Sequence, residues 1–169
     1  MPGYIIHLSI ASEYIKKHKE TINKQDFLEG VIAPDETKNK SETHYGENPR
    51  KTDLEKFLKN NNVDTSYEKG FFLHLLSDYL FYNIYLTKKY EREILHNEYD
   101  CVNRFLIEKY NITVPNNVKD KIYFKTEEPK ILTKEFVCKL IDEISEYDIN
   151  ETVQEILQEP EKWKKYIWR

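Results

Sequence analysis

Residues 66–90, SYEKGFFLHLLSDYLFYNIYLTKKY, decide the fold. Phe71, His74, Leu75, Asp78, Phe81, Tyr82 and Tyr85 recur at intervals of three and four, the spacing of one helix face. Between Phe71 and Leu86 the segment is apolar nearly all round. A helix with that pattern is contacted on most sides and belongs at the centre of a domain. His74 and Asp78 stand inside the apolar run, one turn apart on one face. A carboxylate among Leu73, Leu75, Leu76 and Phe81 is costly unless something compensates it. The pair reads as a His–Asp hydrogen bond, as an aspartate paired with a distant lysine, or as two ligands of one cation. HxxxD alone does not choose among these.

Outward from this helix the same periodicity continues. It places helices at about 4–19 and 24–32, the second stopped by Pro34. Residues 34–50, PDETKNKSETHYGENPR, read as a loop. A third helix starts at Thr52-Asp53, with Glu55 placed as in a capping box, and stops in Asn60-Asn61-Asn62. After the central helix a fifth spans about 92–110. Residues 121–125, KIYFK, are the one plausible strand, with a short helix as the alternative. Two more helices, 133–147 and 150–158, close the chain, with Thr133 and Asn150 as N-caps. The expected architecture is all-α, a single-domain helical bundle around the buried helix 66–90. Residues 1–110 form its metal-site core and 111–169 a C-terminal helical extension.

Composition agrees with a soluble domain. The 169 residues are 39% hydrophobic and 33% charged, enough for one core without disulfides. A net charge of −4 gives no bulk attraction to nucleic acid. Four glycines leave no phosphate-cradling loop. Cys101 and Cys138 lie far apart in helical contexts and read as buried free thiols. The stretch MPGYIIHLSIASEYIKK has no basic segment before its short apolar run, so it reads as neither signal peptide nor membrane span. The expected compartment is the cytoplasm.

The residues able to carry chemistry form a set. His7 lies between Ile6 and Leu8 in the first helix, and Asp35 and His44 lie in the 34–50 loop, where Pro34 fixes the backbone. Each alone is more simply a core or solvated residue. With His74 and Asp78 they supply imidazole nitrogens and carboxylate oxygens without thiolate. That donor set suits zinc, and also iron or manganese. His18 lies roughly 16 Å along the helix from His7 and cannot share its metal, so it reads as exposed. Arg50 and Lys51, after the loop, could meet a phosphate, though a solvated loop edge is the simpler reading.

The order of FLEGVIAPD, SETHYG and HLLSD after an N-terminal helical histidine resembles the zinc-dependent phospholipase C family. The likeness extends to that family's small bacterial hydrolase-like members, with relatives among the single-strand nucleases. It covers roughly the first 100 residues. By this resemblance His44, His74 and Asp78 hold one metal with Asp35 at its edge, and Asp35 is both a ligand and the candidate general base. His7 and Asp78 help to hold a second metal, so Asp78 bridges. A third would fall to His96 and Asp100, four apart where the family has HxxxE. The shorter Asp and the lack of a further His soon after Asp78 count against that site. A separate departure is the N-terminus: the family's secreted phospholipases use a processed terminal amine as a ligand, and nothing here suggests processing beyond the initiator Met, so that ligand is expected to be absent.

The function so implied is a metal-dependent hydrolase acting on a small phosphoester or phospholipid-like substrate by metal-activated water, with one to three zinc ions. The alternative is a non-catalytic helical protein with a structural or vestigial metal site that acts through a partner. An HD-type phosphohydrolase is disfavoured because the chain has no adjacent His-Asp pair.

Overall fold

The computed structural model describes residues 3–167. Among them the chain is helical and loop-like throughout, with no strand. The order is α1 (Tyr4–Lys17), α2 (Lys24–Ile32), α3 (Lys40–His44), α4 (Leu54–Asn60), α5 (Ser66–Leu80), α6 (Arg92–Tyr110), α7 (Lys134–Ser145) and α8 (Ile149–Gln158). Short 3₁₀ turns join several of these. Among the described residues no helix is long and apolar enough to cross a membrane.

The all-α reading and the central helix are borne out. Phe72, Leu73, Leu75, Leu76 and Tyr79 of α5 are each at most 1% exposed. Its start is set by a capping box: the Thr65 hydroxyl accepts from the Glu68 amide, and the Glu68 carboxylate accepts from the Thr65 amide. The helix packs most closely on α2, and two glycines make that approach possible. A Cβ at Gly30 would lie 2.0 Å from the Tyr67 carbonyl oxygen, and one at Gly70 would lie 2.1 Å from that of Phe27. No side chain fits at either position, so the two backbones touch.

Several local expectations are corrected. Helix α5 does not continue to Tyr90. It passes at Leu80 into a π turn, Phe81–Tyr85, closed by the Leu86 amide on the Phe81 carbonyl, and the chain leaves extended. Asn83 supports this turn: its Nδ2 donates to the Tyr79 and Arg50 carbonyls. Helix α1 ends at Lys17 because His18 is extended and bonds Ser145 O through Nε2 at 2.8 Å. His18 also stacks on Tyr14, so it is half-buried rather than exposed. Residues 34–50 are not plain loop but carry α3 between two 3₁₀ turns.

The caps shift as well. Asp53, not Thr52, caps α4, and Thr52 bonds the Pro49 carbonyl instead. Asp148, not Asn150, caps α8. The 121–125 strand is absent. Asn116–Lys121 is a 3₁₀ turn, and the residues after it form no strand: they are tied to α6 instead, the Lys125 amide donating to Asp100 O and Asn103 Nδ2 donating to Tyr123 O. Cys101 is buried as read, but Cys138 is only half-buried.

The C-terminal helices join the same core. Helix α7 packs on α1, with Val137, Leu140, Ile141 and Ile144 fully buried. Helix α8 packs on α4. Residues beyond α8 return to the central helix, where the Lys165 amide donates to the Tyr79 hydroxyl and the Ile167 amide to Asn83 Oδ1.

Candidate metal centre

His7, Asp35, His44, His74 and Asp78 come from three helices and a turn and meet in the interior. Their side chains are 0–1% exposed. Helix α1 contributes His7, the 3₁₀ turn Ala33–Asp35 contributes Asp35, α3 ends at His44, and α5 carries His74 and Asp78. The close approach of α2 and α5 sets one wall. One residue past Gly30, the Val31 carbonyl accepts a bond from His74 Nδ1 at 2.6 Å.

The two oxygens of Asp78 face different histidines. Oδ1 lies 3.2 Å from His7 Nε2. Oδ2 lies 2.9 Å from His44 Nε2 and 3.4 Å from His74 Nε2. Asp35 Oδ2 is 3.6 Å from His74 Nε2, and Asp35 Oδ1 is 3.8 Å from His44 Nε2. The His7 and His74 rings stack with centroids 3.7 Å apart.

The polar atoms of this cluster are poorly satisfied. Both ring nitrogens of His7, Nε2 of His44 and His74, Asp35 Oδ2 and both Asp78 oxygens are buried without a hydrogen bond. Three of the N···O contacts are short enough for one, but none has its direction. The tautomers sharpen the point. His74 Nδ1 donates to Val31 O, and His44 Nδ1 lies 3.0 Å from Lys40 O, so a neutral ring at either place turns the Nε2 lone pair inward. Lone pairs facing carboxylate oxygens repel unless a proton or a cation lies between them. An Nδ1–H fixed to a backbone carbonyl is also the outer bond that orients a metal-ligating histidine.

Charge follows the same logic. Burial, together with the neighbouring His74, lowers the His7 pKa to about 4, so its ring is neutral at ordinary pH. Burial also opposes the charged form of His74, but Asp35 and Asp78 outweigh it and raise that pKa. Burial works against the Asp78 carboxylate, yet His74, His44 and His7 hold its pKa well below the usual range.

Two ligand groups can hold a divalent ion: His44, His74 and Asp78, and His7, Asp35 and His74. The first is the set expected for one metal, and Asp78 is disposed as a bridge. His74 is common to both groups, and Asp78 Oδ1 faces His7, the histidine of the second group. His96 and Asp100 belong to neither group. His96 lies in the wall of a neighbouring cleft, and the Asp100 carbonyl accepts from the Lys125 amide.

Sequence reasoning passed over three neighbours. Lys40 Nζ is 2.9 Å from Asp35 Oδ1. The buried Tyr82 and Tyr99 hydroxyls are 3.4 Å apart, and burial plus the charges of Asp78 and Asp35 keep Tyr99 protonated. Only the five-residue spacing of Lys40 from Asp35 hinted at the first, and tyrosines in helices give no such signal. No family profile, curated protein or solved structure matches the chain.

Proposed function

We propose that this protein is a metal-dependent phosphoester hydrolase that uses zinc held by His7, Asp35, His44, His74 and Asp78. The carrying observation is the inward-facing set of buried, hydrogen-bond-poor nitrogens and carboxylate oxygens from three helices and a turn. A divalent ion held there would lower the pKa of a bound water and polarise a phosphoryl oxygen. The protein's own part is positional. Val31 O and Lys40 O fix the rings of His74 and His44, and Asp35, whose Oδ2 has no hydrogen bond, would orient the attacking water or take its proton. Lys40 keeps the other oxygen of Asp35 oriented and brings positive charge toward a phosphate. The working compartment under this reading is the cytoplasm.

The test is metal content by mass spectrometry on protein purified without added metal, followed by a panel of phosphodiester, phosphomonoester and phospholipid substrates. About one to three equivalents of zinc and turnover on one class are expected. Metal-loaded protein inert on every class would sink the proposal.

One observation favours a non-catalytic site that serves a binding partner. The Lys40 ammonium already holds an oxygen of the proposed base at 2.9 Å, as in a site kept for structure. Lys40→Met separates the two readings. In the hydrolase it changes turnover with metal retained, whereas in a structural site it only shifts stability.

A further inference from the structure

Beside the metal centre a cleft of about 620 Å³ opens between residues 38–50 and the start of α6. Lys38, Lys40, Arg50 and Arg92 bring positive charge to its wall, against Glu47, Glu91 and Glu93. Glu47 is already matched by Lys51, 2.6 Å away and outside the lining. Glu91, the N-cap residue of α6, and Glu93 in its first turn are exposed. That turn has no side-chain cap on its amides, so an anion there would also meet the positive end of a 19-residue helix.

The cleft and the metal centre share a wall. Lys40 lines the cleft while its Nζ contacts Asp35. Tyr82 lines it with a hydroxyl 3.4 Å from that of Tyr99. His96, half-buried in the same wall, has its pKa lowered by burial and by Arg92 and Lys40, a sign of positive potential in the cleft.

We infer that this cleft binds a second phosphate group next to the reacting one, so that the substrate is a small molecule carrying at least two phosphates. The inference rests on the hydrolase reading for the reacting group; the cleft shares Lys40 with that centre and adds Lys38, Arg50 and Arg92. Two arginines and two lysines around a cavity of this size match a phosphate dianion.

The experiment is calorimetric titration of the protein as purified with propane-1,3-diol bisphosphate and with propyl phosphate. The variant is Lys38→Ser/Arg92→Ser, both positions exposed and outside the metal centre. Wild type is expected to bind the bisphosphate at least roughly tenfold more tightly, and the variant to lose that advantage. Inorganic phosphate is titrated into chelator-treated wild type and into His74→Ala, with folding checked by circular dichroism. Phosphate binding that survives both and weakens about tenfold in the double variant supports the cleft. No preference for the bisphosphate, or equal affinity in the double variant, overturns the inference. Metal content of the same samples reports separately on the hydrolase: metal-free wild type with cleft binding intact removes the catalytic reading and leaves the anion site.

Discussion

His74 is the residue on which the candidate centre turns. Its Nδ1 is committed to Val31 O, and its Nε2 faces both aspartates. Because its pKa is raised in the ion-free pocket, a proton competes with any metal there. Zinc binding near neutral pH is therefore expected to release a proton, and affinity is expected to rise with pH through the range where His74 titrates. Calorimetry in two buffers of different ionisation enthalpy reads the proton directly, and identical heats would contradict the assignment. The His7 ring, neutral above about pH 4, contributes nothing to that release. Asp35→Asn is expected to keep most of the metal while lowering turnover about a hundredfold or more, as for a lost general base. If the metal goes too, Asp35 is mainly a ligand.

These five residues were legible as a set because each paired an unusual residue type with an apolar or rigid context. Their geometry was not, because the ring orientations depend on the carbonyls of Val31 and Lys40, and carbonyls leave no mark in a sequence. His96 shows the opposite failure. Its HxxxD spacing copies that of His74 and Asp78, but α6 turns His96 toward a solvent cleft and leaves Asp100 beside Lys125.

At the scale of elements, the contact of α2 with α5 builds the wall that holds His74. Gly30 and Gly70 bring the two backbones together, and one turn beyond Gly70 lies His74, bonded to the residue after Gly30. Gly70→Ala forces the helices apart and is expected to cost about 3 kcal/mol or more. Because Val31 O moves with α2, zinc affinity should fall as well. Chemical denaturation and zinc titration of the same sample check both, and a destabilised variant with unchanged zinc affinity would disconnect the wall from the site.

A second anchor lies on α6. The Glu98 carboxylate, 4% exposed, accepts the amides of Lys130, Ile131 and Leu132 at 2.7–3.1 Å. Glu98→Ala orphans these donors and is expected to cost about 3 kcal/mol or more, with Gln costing less because one oxygen remains. The urea midpoints of the two variants test this order. Periodicity found the long helices within two residues at most ends. It missed the end of α5, where the chain leaves helical geometry after a π turn braced by Asn83, a tertiary contact invisible to spacing.

For the whole molecule, the C-terminal residues serve as a brace. Tyr166 donates to Thr52 O, and Ile167 meets Asn83, so the segment that follows α8 spans the end of the His44 loop and the π turn together. Nothing in the sequence of 111–169 announced this, since one tyrosine hydroxyl and one backbone amide do the work. The opposite end of the bundle is tied by Glu20, which accepts from Tyr14 at 2.6 Å and from Lys69 at 2.7 Å, joining the end of α1 to the start of α5. Partial burial opposes its charge, but the Lys69 and Tyr14 hydrogen bonds prevail and lower its pKa below the usual 4.5. A carboxylate depressed in the folded state contributes stability that is complete above its unfolded value and lost as pH falls through the folded one. The stability gap between the protein and Glu20→Gln is thus expected to be constant from about pH 7 to about pH 6 and to narrow from about pH 4.5 downward. Thermal unfolding across this range, with a chelator present so that metal loss does not enter, measures it. A gap that stays the same at acid pH would mean that Glu20 acts through packing alone and that the ion pair with Lys69 contributes no net stability.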